Sequence, residues 1–596
     1  MVIRLAVIAL TSFFCAFSSS AITAENVLVV YNSEEPDSLE VFNYYTNARP
    51  GVLSLDLNDS SLLPGTVSYS DFGSKIRDPI RAHLNENDLS EDVMVIVLTK
   101  GIPHRIQDLD LENPNLGDSP QQASAAYSDR NLTYASVDSE LIFLQFDLDE
   151  GEQGGEMDSP ADRAIYNPYF EETAPFSSFD RTDIKSDSSD FFQRDTTYNW
   201  WRGYETLQFR VSAIEIPMDA GHIYLTARLD GETADDVKAM IDQAASITIR
   251  KQTDALLFDA DGRSDPLQDD RYPLDITFTP VDDYGEVDTL FSGEWSRVIV
   301  DRTGSFLIGE TNTVTFTPVT ATTGPVAHLN SYGVNHSGSG ERQYLSSFAN
   351  QLVPGASFAA YESYGAAGLG GVTPPINQAQ VEEWITAGGT FATGTVWEPF
   401  TFGISRSVIF LDGFFNHGLT YVEAAWSSIM QVSWQSVVLG DPLATATIID
   451  AEPYYVWTLA ELGTTPTVNS NAAEDADFES DRVPNGVEYG LDLNPAEFTS
   501  AIVEVSTGLS EQGPITLSFL LPETVPADVQ IEVEANSGLE SDGWSSVALR
   551  DTSGIWSGTA LVEESVVAGG TLVQVTPPFS EEVDESGFFR LSIEIL

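Results

Sequence analysis

Short apolar runs alternate with amphipathic segments at the start of the chain. Val27–Tyr31 and Val93–Leu98 are continuous apolar runs rich in valine, which is typical of strands buried on both faces. Between them, apolar side chains recur at helical spacing from Pro36 to Ala48 and from Phe72 to Leu84, with a further short strand at Val52–Leu55. This alternation of strands and helices predicts a parallel sheet with crossover helices.

The same alternation returns in the middle of the chain, after an acidic stretch at about 147–219 in which Asp, Glu, Ser and Gly dominate. We interpret that stretch as an insertion of long loops. The later strands are expected at 223–227, 326–330, 356–361, 391–396 and 436–440, and helices at 233–245, 341–352 and 377–387. We therefore predict one α/β domain over residues 25–455, with a Rossmann-like, mostly parallel sheet and helices on both faces.

The C-terminal part of the chain has a different pattern. In 497–596, apolar residues alternate with polar ones, Gly and Pro mark the turns, and no helical period is present. This pattern predicts a small all-β sandwich. An acidic linker at 456–496 connects it to the α/β domain.

The N-terminus has the pattern of a secretory signal peptide over residues 1–24. A short start with Arg4 precedes the apolar run Leu5–Phe17, which is too short to span a bilayer, and small residues follow up to Ala24. Cys15, the single cysteine, lies inside this segment. Export would leave a chain without a thiol, so we expect no disulfide, no thiolate metal site and no cysteine nucleophile. The expected location is secreted or at the outer cell surface.

The charge balance limits the partners of the protein. The chain has 27 Lys and Arg against 91 Asp and Glu, a formal net charge of −64. Phosphate contacts need clustered basic side chains, so we expect no nucleic acid partner and no anionic membrane. No membrane span is predicted after the signal segment. The acidic surface suits high salt and favours divalent cations, and we expect an extracellular or cell-surface ligand.

One acidic segment of the linker, Asp477–Glu488, has the spacing of an EF-hand-like calcium loop. Oxygen ligands are expected at positions 1, 3, 5, 7, 9 and 12, which are Asp477, Glu479, Asp481, the Val483 carbonyl, Asn485 and Glu488. Position 6 usually holds a Gly because the chain turns there through a left-handed conformation. Arg482 stands at that position and adds a positive charge. The sequence predicts a weak Ca²⁺ site, with a calcium-free acidic turn as the alternative.

The same segment resembles the calcium-loop linkers, thrombospondin type 3-like and dockerin-like, of exported bacterial proteins. Their usual pattern continues as it does here, through Asn485-Gly-Val-Glu-Tyr489 and Gly490-Leu-Asp-Leu-Asn-Pro495. The following sandwich, with Trp544 and the ending Phe588-Phe-Arg-Leu591, is similar to the C-terminal modules that share such linkers. The resemblance implies a role in attachment or sorting.

Residues of about 26–446 resemble a family of secreted bacterial proteins known only as conserved hypothetical proteins. The residues that carry this resemblance are Asn32, Tyr44-Tyr45, Arg49-Pro50, Leu98–Pro103, Asp138–Leu141, Arg228–Gly231, Gly394–Pro399 and Gly440–Leu443. The resemblance implies no particular activity.

A more distant similarity is to gingipain-type peptidases of the caspase-like fold. In these enzymes one strand ends at the catalytic His and the next at the nucleophilic Cys. The corresponding ends here are Ser331-Tyr332-Gly333 and Glu362-Ser363-Tyr364-Gly365. Tyrosine, with an ordinary pKa near 10, replaces neither group well at neutral pH. The resemblance implies a caspase-like α/β fold that has lost the peptidase mechanism.

Two functions follow from these patterns. The first is a non-catalytic binding or surface-assembly protein on a degenerate peptidase-like scaffold. The alternative is a secreted hydrolase, a peptidase or an esterase, that uses Ser363 with His336, or the carboxylates Asp230, Glu398 and Asp441. All five residues follow strands or close helices, and in α/β folds ligands bind at that edge. Each of them is equally suited to holding loops through ion pairs and caps.

Overall fold

The fold is seen in a computed structural model of the chain. It describes residues 21–106, 135–145, 165–182, 197–199, 206–208, 222–259, 290–291, 293–301, 324–331, 342–361, 363–374, 379–397, 404–499, 502–507, 515–536, 543–577 and 588–596. Most of the predicted signal segment and both His336 and Glu398 lie outside these residues. The chain divides into two compact units, residues 1–229 with 409–445 and residues 230–408 with 446–596.

The strands of the α/β region are β1 (Val27–Tyr31), β2 (Leu53–Asp56), β3 (Thr66–Val67), β4 (Val95–Thr99), β5 (Arg105–Ile106), β6 (Ala135–Ser136), β7 (Ile165–Tyr166), β8 (Thr197–Asn199), β9 (Thr206–Gln208), β10 (Leu225–Leu229), β11 (Ile247–Arg250), β12 (Ala255–Asp259), β13 (Val298–Asp301), β14 (Val326–Ser331), β15 (Leu352–Ala360), β16 (Phe391–Thr395), β17 (Gln431–Val432), β18 (Ser436–Leu439) and β19 (Ala446–Ile449). The C-terminal strands are β20 (Val503–Thr507), β21 (Ile515–Leu521), β22 (Val529–Asn536), β23 (Ser545–Arg550), β24 (Trp556–Gly558), β25 (Leu561–Val567), β26 (Gly570–Thr576) and β27 (Phe588–Ile595).

The α-helices are α1 (Pro36–Ala48), α2 (Tyr69–Phe72), α3 (Asp78–Glu86), α4 (Val137–Glu140), α5 (Ala234–Gln243), α6 (Val381–Thr386), α7 (Ser407–Leu411), α8 (Tyr421–Ser427), α9 (Pro453–Leu462) and α10 (Asn485–Leu491). Their ends follow local rules. Pro36 begins α1, where its fixed φ suits the first helical position. The side chain of Thr233 accepts a hydrogen bond from the Asp236 amide at the start of α5, as the sequence predicted. No helix in the described ranges has both the length and the apolar character that crossing a bilayer requires.

The strands of the main sheet follow the order β18-β10-β4-β1-β2 in the first unit and β13-β12-β14-β15-β16 in the second. In the first unit, β1 pairs in parallel with β2 and β4, and β10 with β4 and β18. In the second unit, β12 pairs in parallel with β13 and β14, and β15 with β14 and β16. Every residue of β4, β10 and β14 is buried. The predicted mostly parallel α/β sheet is confirmed. Asp230 directly follows β10, and Asp441 and Ser363 lie two and three residues after β18 and β15.

Two small antiparallel sheets follow in the second unit. Their orders are β20-β21-β26-β25 and β24-β23-β22-β27. Inward-facing residues of both sheets, among them Phe519 and Ile531, share one apolar core. Tyr454 of α9 and Tyr489 of α10 belong to that same core. The linker helices are therefore packed parts of the C-terminal region.

Candidate metal centre and strand-end residues

The linker segment Asp477–Glu488 is a tight loop folded by its own carboxylates. Asp477 accepts hydrogen bonds from the Asp481 amide at 2.9 Å and from the Arg482 amide at 2.6 Å. Asp481 accepts from the Val483 amide at 2.7 Å and from the amide of Thr499 at 2.6 Å. These bonds turn the chain back on itself and aim acidic side chains inward.

Three carboxylates converge in this loop. One oxygen from each of Asp477, Glu479 and Asp481 lies within 4.8 Å of the other two. Oxygen donors at this density are the ligands that hard divalent cations prefer. Acidic clusters are common on protein surfaces, so the convergence has to be judged with the neighbouring side chains.

Glu488 supplies the second observation. Its side chain is fully buried in the first turn of α10. Neither of its carboxyl oxygens accepts a hydrogen bond from an N–H or hydroxyl group of the described residues, and the same holds for Glu479. The two carboxyl groups are hydrogen-bonded to each other. Ionising a buried carboxyl group whose partner is another acid is costly, whereas a cation between the acids would satisfy both.

The electrostatics of the loop agree with that geometry. The pKa of Glu488 is raised to about 8, first by burial and then by the negative charge and the carboxyl group of Glu479, with Asp481 and Asp477 adding to the effect. Burial also raises the pKa of Glu479. Glu488 and Glu479 therefore keep their protons more readily than free glutamates until a positive charge is placed between the acids.

The backbone at position 6 adopts the conformation that a calcium loop requires. Arg482 has φ +78°, and Ser480 has φ +68°. The left-handed turn expected from the spacing is thus present although no Gly stands there. A side chain with a Cβ in this region costs about 1–2 kcal/mol, so the loop holds strain at this residue.

Asn485 does not point its amide at the acids. Its Nδ2 donates to the carbonyls of Asn471 and Ala473, and its Oδ1 accepts from the Phe478 amide. The side chain fastens the base of the loop to the preceding segment. The carbonyl of Val483, expected as the ligand at position 7, stays a prediction.

Two strand-end acids serve the structure. Asp441, after β18, accepts from the Tyr45 hydroxyl at 2.8 Å and pairs with the Arg49 guanidinium at 2.6 Å. Asp230, after β10, is buried and accepts from the amides of Gly231 and Gly370 at 2.8 and 3.3 Å. The two acids belong to different units.

Tyr364, which the predicted similarity to peptidases aligns with a nucleophile, is buried. Tyr364 is 3% exposed and stands in the left-handed region at φ +58°. Its amide donates to the Trp397 carbonyl at 2.8 Å, and its ring meets the Trp397 ring edge-on at 6.3 Å. Ser363 beside it is also buried. Tyr364 therefore packs against a neighbouring strand end and is almost wholly buried.

Arg228 holds together three of the segments that carry the family resemblance. Its guanidinium makes a bidentate pair with Asp138, and both side chains are fully buried. It also donates to the carbonyls of Ile102 and Pro103. Sequence reasoning placed Arg228 beside Asp230 and missed Asp138. The sequence singled out Asp138 only as part of the Asp138–Leu141 motif, and that motif did not indicate which residue pairs with it.

A serine–histidine contact that the sequence did not indicate lies inside the second unit. The Nδ1 of His328 is 2.8 Å from the Ser357 hydroxyl. Both residues are buried, and burial lowers the pKa of His328 to about 3. Such a histidine is a poor base at neutral pH, so the contact belongs to the core.

The ion pair of Asp441 allows its role to be tested. Asp441→Asn leaves the partly buried Arg49 without a counter-charge, so we expect the free energy of unfolding to fall by about 2–4 kcal/mol. Asp235→Asn is the control, because Asp235 forms a surface pair with Lys238 and is 90% exposed. Asp235→Asn is expected to lower the free energy of unfolding, measured with urea, by less than about 0.5 kcal/mol. Equal stability of the two variants would contradict the assignment.

Comparisons of the chain with protein-family models, with curated proteins and with solved structures find no significant match. The similarities to secreted bacterial proteins and to gingipain-type peptidases stay predictions. The function is therefore inferred from the geometry of the site alone.

Proposed function

We propose that this chain is an exported calcium-binding protein with a non-catalytic binding or surface-assembly role. The observation that carries the proposal is the loop in which Asp477, Glu479 and Asp481 converge beside the buried Glu488. The four side chains would hold the ion, which supplies the positive charge that the cluster lacks. The Asn485 amide is engaged elsewhere.

Calcium fits the donor set better than other common metals. The four side chains offer only carboxylate oxygens, whereas zinc and copper sites favour imidazole or thiolate ligands. Magnesium demands near-ideal octahedral geometry and keeps several waters, whereas Ca²⁺ accepts irregular oxygen cages at 2.3–2.6 Å. A residue other than Gly at position 6 suits the weak class of extracellular sites, with Kd about 10⁻⁴–10⁻³ M.

A non-catalytic role is supported by how the strand ends are used. Asp441, Asp230 and Tyr364 are engaged in ion pairs, backbone hydrogen bonds or ring packing. An exported chain with a net charge of −64 also meets millimolar calcium outside the cell. The hydrolase alternative retains Ser363 as its candidate nucleophile. The next residue, Tyr364, has a positive φ, a backbone conformation that is frequent at active sites.

Titration calorimetry with Ca²⁺ tests the site. We expect one saturable binding event in the full chain at 0.5 M NaCl, where diffuse binding to the acidic surface is screened. Glu488→Gln and Asp477→Asn should each weaken binding at least about tenfold, because each removes a ligand charge. Glu461→Gln, an exposed acid on α9, is the matched control and should bind normally. Unchanged binding in both loop variants would exclude this site.

Arg482 provides a test in the opposite direction. Arg482→Gly removes a positive charge beside the ion and allows the left-handed turn without a Cβ. We expect roughly a 3–10-fold tighter Kd for Ca²⁺. Arg482→Lys keeps both the charge and the Cβ and should match the wild type. A glycine variant that binds no tighter than the lysine variant would contradict the assigned loop position.

The hydrolase alternative is tested with the purified mature chain. We expect no turnover of peptide or ester substrates above a Ser363→Ala control, because Ser363 and Tyr364 are buried. Turnover that Ser363→Ala or His336→Ala abolishes would replace the non-catalytic role with a hydrolytic one. The calcium assignment stands or falls separately, by the calorimetry.

A further inference from the structure

Helix α10 is shared between the calcium loop and the packing of the C-terminal region. Glu488 lies in the loop cluster, and the next residue, Tyr489, points into the apolar core. The Tyr489 ring lies 5.3 Å from the ring of Tyr454 and 5.4 Å from that of Trp457, both on α9. Its hydroxyl donates to Asp528, just before β22, at 2.8 Å. One residue therefore joins α9 to the sandwich, directly beside a proposed calcium ligand.

An adjoining face of α10, which carries Gly486 and Gly490, fits closely against strand β27. A Cβ added at Gly490 would lie 2.8 Å from the Ile593 side chain, which is shorter than a normal contact. At Gly486 it would lie 3.1 Å from the Glu474 carbonyl and 3.6 Å from Ile595. These glycines bring the helix backbone onto the strand. Small displacements of α10 therefore disturb the sandwich contact.

Helix α9 is in turn fixed to the α/β part of the same unit. Strand β19, just before it, pairs in parallel with β11. Glu452 at its start forms an ion pair with Arg250 at 2.7 Å, and that guanidinium lies 4.0 Å from the centre of the Tyr455 ring. A continuous chain of contacts thus leads from β11 through α9 and α10 to β22 and β27.

We propose that calcium in the loop 477–488 controls how firmly the C-terminal sandwich is held on helix α9. This inference rests on the proposed function of the loop. With the cation bound, the acids are held around one positive centre. Helix α10 then stays packed between α9 and the sandwich. Without the cation, no common centre holds Glu488 and the acids of the loop together, so the Tyr489 contacts open more often. The surface that an attachment module presents is then rigid only where calcium is plentiful.

Hydrogen–deuterium exchange of the full chain tests this coupling. At a free Ca²⁺ concentration ten times the Kd, binding favours the packed conformation over the open one by about tenfold. The rate of amide exchange should fall by up to that factor. We expect this slowing in peptides covering α10, α9 and β27. Peptides covering β1 and β4, in the other unit, are the internal reference and should not change.

Tyr489→Ala separates the coupling from the binding. It removes the shared ring and hydroxyl but no proposed ligand, so calorimetry should still detect Ca²⁺. In this variant calcium should still slow exchange in the loop and in β27, which Gly486 and Gly490 contact, but no longer in α9. Tyr489→Phe keeps the ring, loses only the bond to Asp528 and should keep most of the effect on α9.

Each outcome has a distinct meaning. Wild-type chain that binds calcium without slower exchange in α9 and β27 overturns the coupling and leaves the proposed function intact. The same holds if Tyr489→Ala shows full wild-type protection of the α9 peptides. Chain that binds no calcium in calorimetry overturns both. Asp477→Asn, which changes a ligand outside α10, should lose the protection as Glu488→Gln does, and retained protection in Asp477→Asn contradicts the coupling.

Discussion

The crowding of four carboxyl groups in one loop is the constraint on which the C-terminal region depends. Asp477 and Asp481 fold the loop by accepting backbone amides, and that same fold brings Asp477, Glu479 and Asp481 together. Two ionised groups about 5 Å apart repel by about 3–4 kcal/mol at an effective dielectric of about 20. Glu488 is buried, and among the described residues its oxygens receive no N–H or hydroxyl hydrogen bond. The conformation that brings these acids together therefore also favours a bound cation.

The α/β region handles buried charge differently. Asp138 is paired with Arg228, and Asp441 with Arg49, so each of these two acids meets a guanidinium with matching geometry. A chain with 27 basic residues against 91 acidic ones has few such partners. Both arginines join segments that are distant in the sequence. Among the residues that the structure describes, no arginine donates to Glu479 or Glu488 of the linker.

The fold class was predictable because its cause is local. Continuous apolar runs give buried parallel strands, and alternation gives the antiparallel C-terminal sheets. The prediction failed where tertiary pairing outweighed helical spacing. The segment predicted as a helix at 341–352 is a 3-10 helix at Arg342–Phe348, and β15 begins at Leu352 because that residue pairs with Val326 of β14.

The candidate site was predictable to a similar extent. Ligand spacing within twelve residues identified the loop, because those residues meet through local turns. The engagement of Asn485, the Arg228–Asp138 pair and the aromatic contacts of Tyr489 join distant segments, so spacing alone did not reveal them. The strand-end candidates were located correctly along the chain, whereas the partners of Asp441 and Asp230 depended on the packing.

The most direct measurement is anomalous X-ray diffraction from crystals of the full chain grown with calcium. The account predicts one anomalous peak inside the loop, with oxygens of Asp477, Glu479, Asp481 and Glu488 at about 2.3–2.6 Å from it. A loop that keeps this conformation with water or no density between the four acids, at calcium concentrations well above 1 mM, would contradict it.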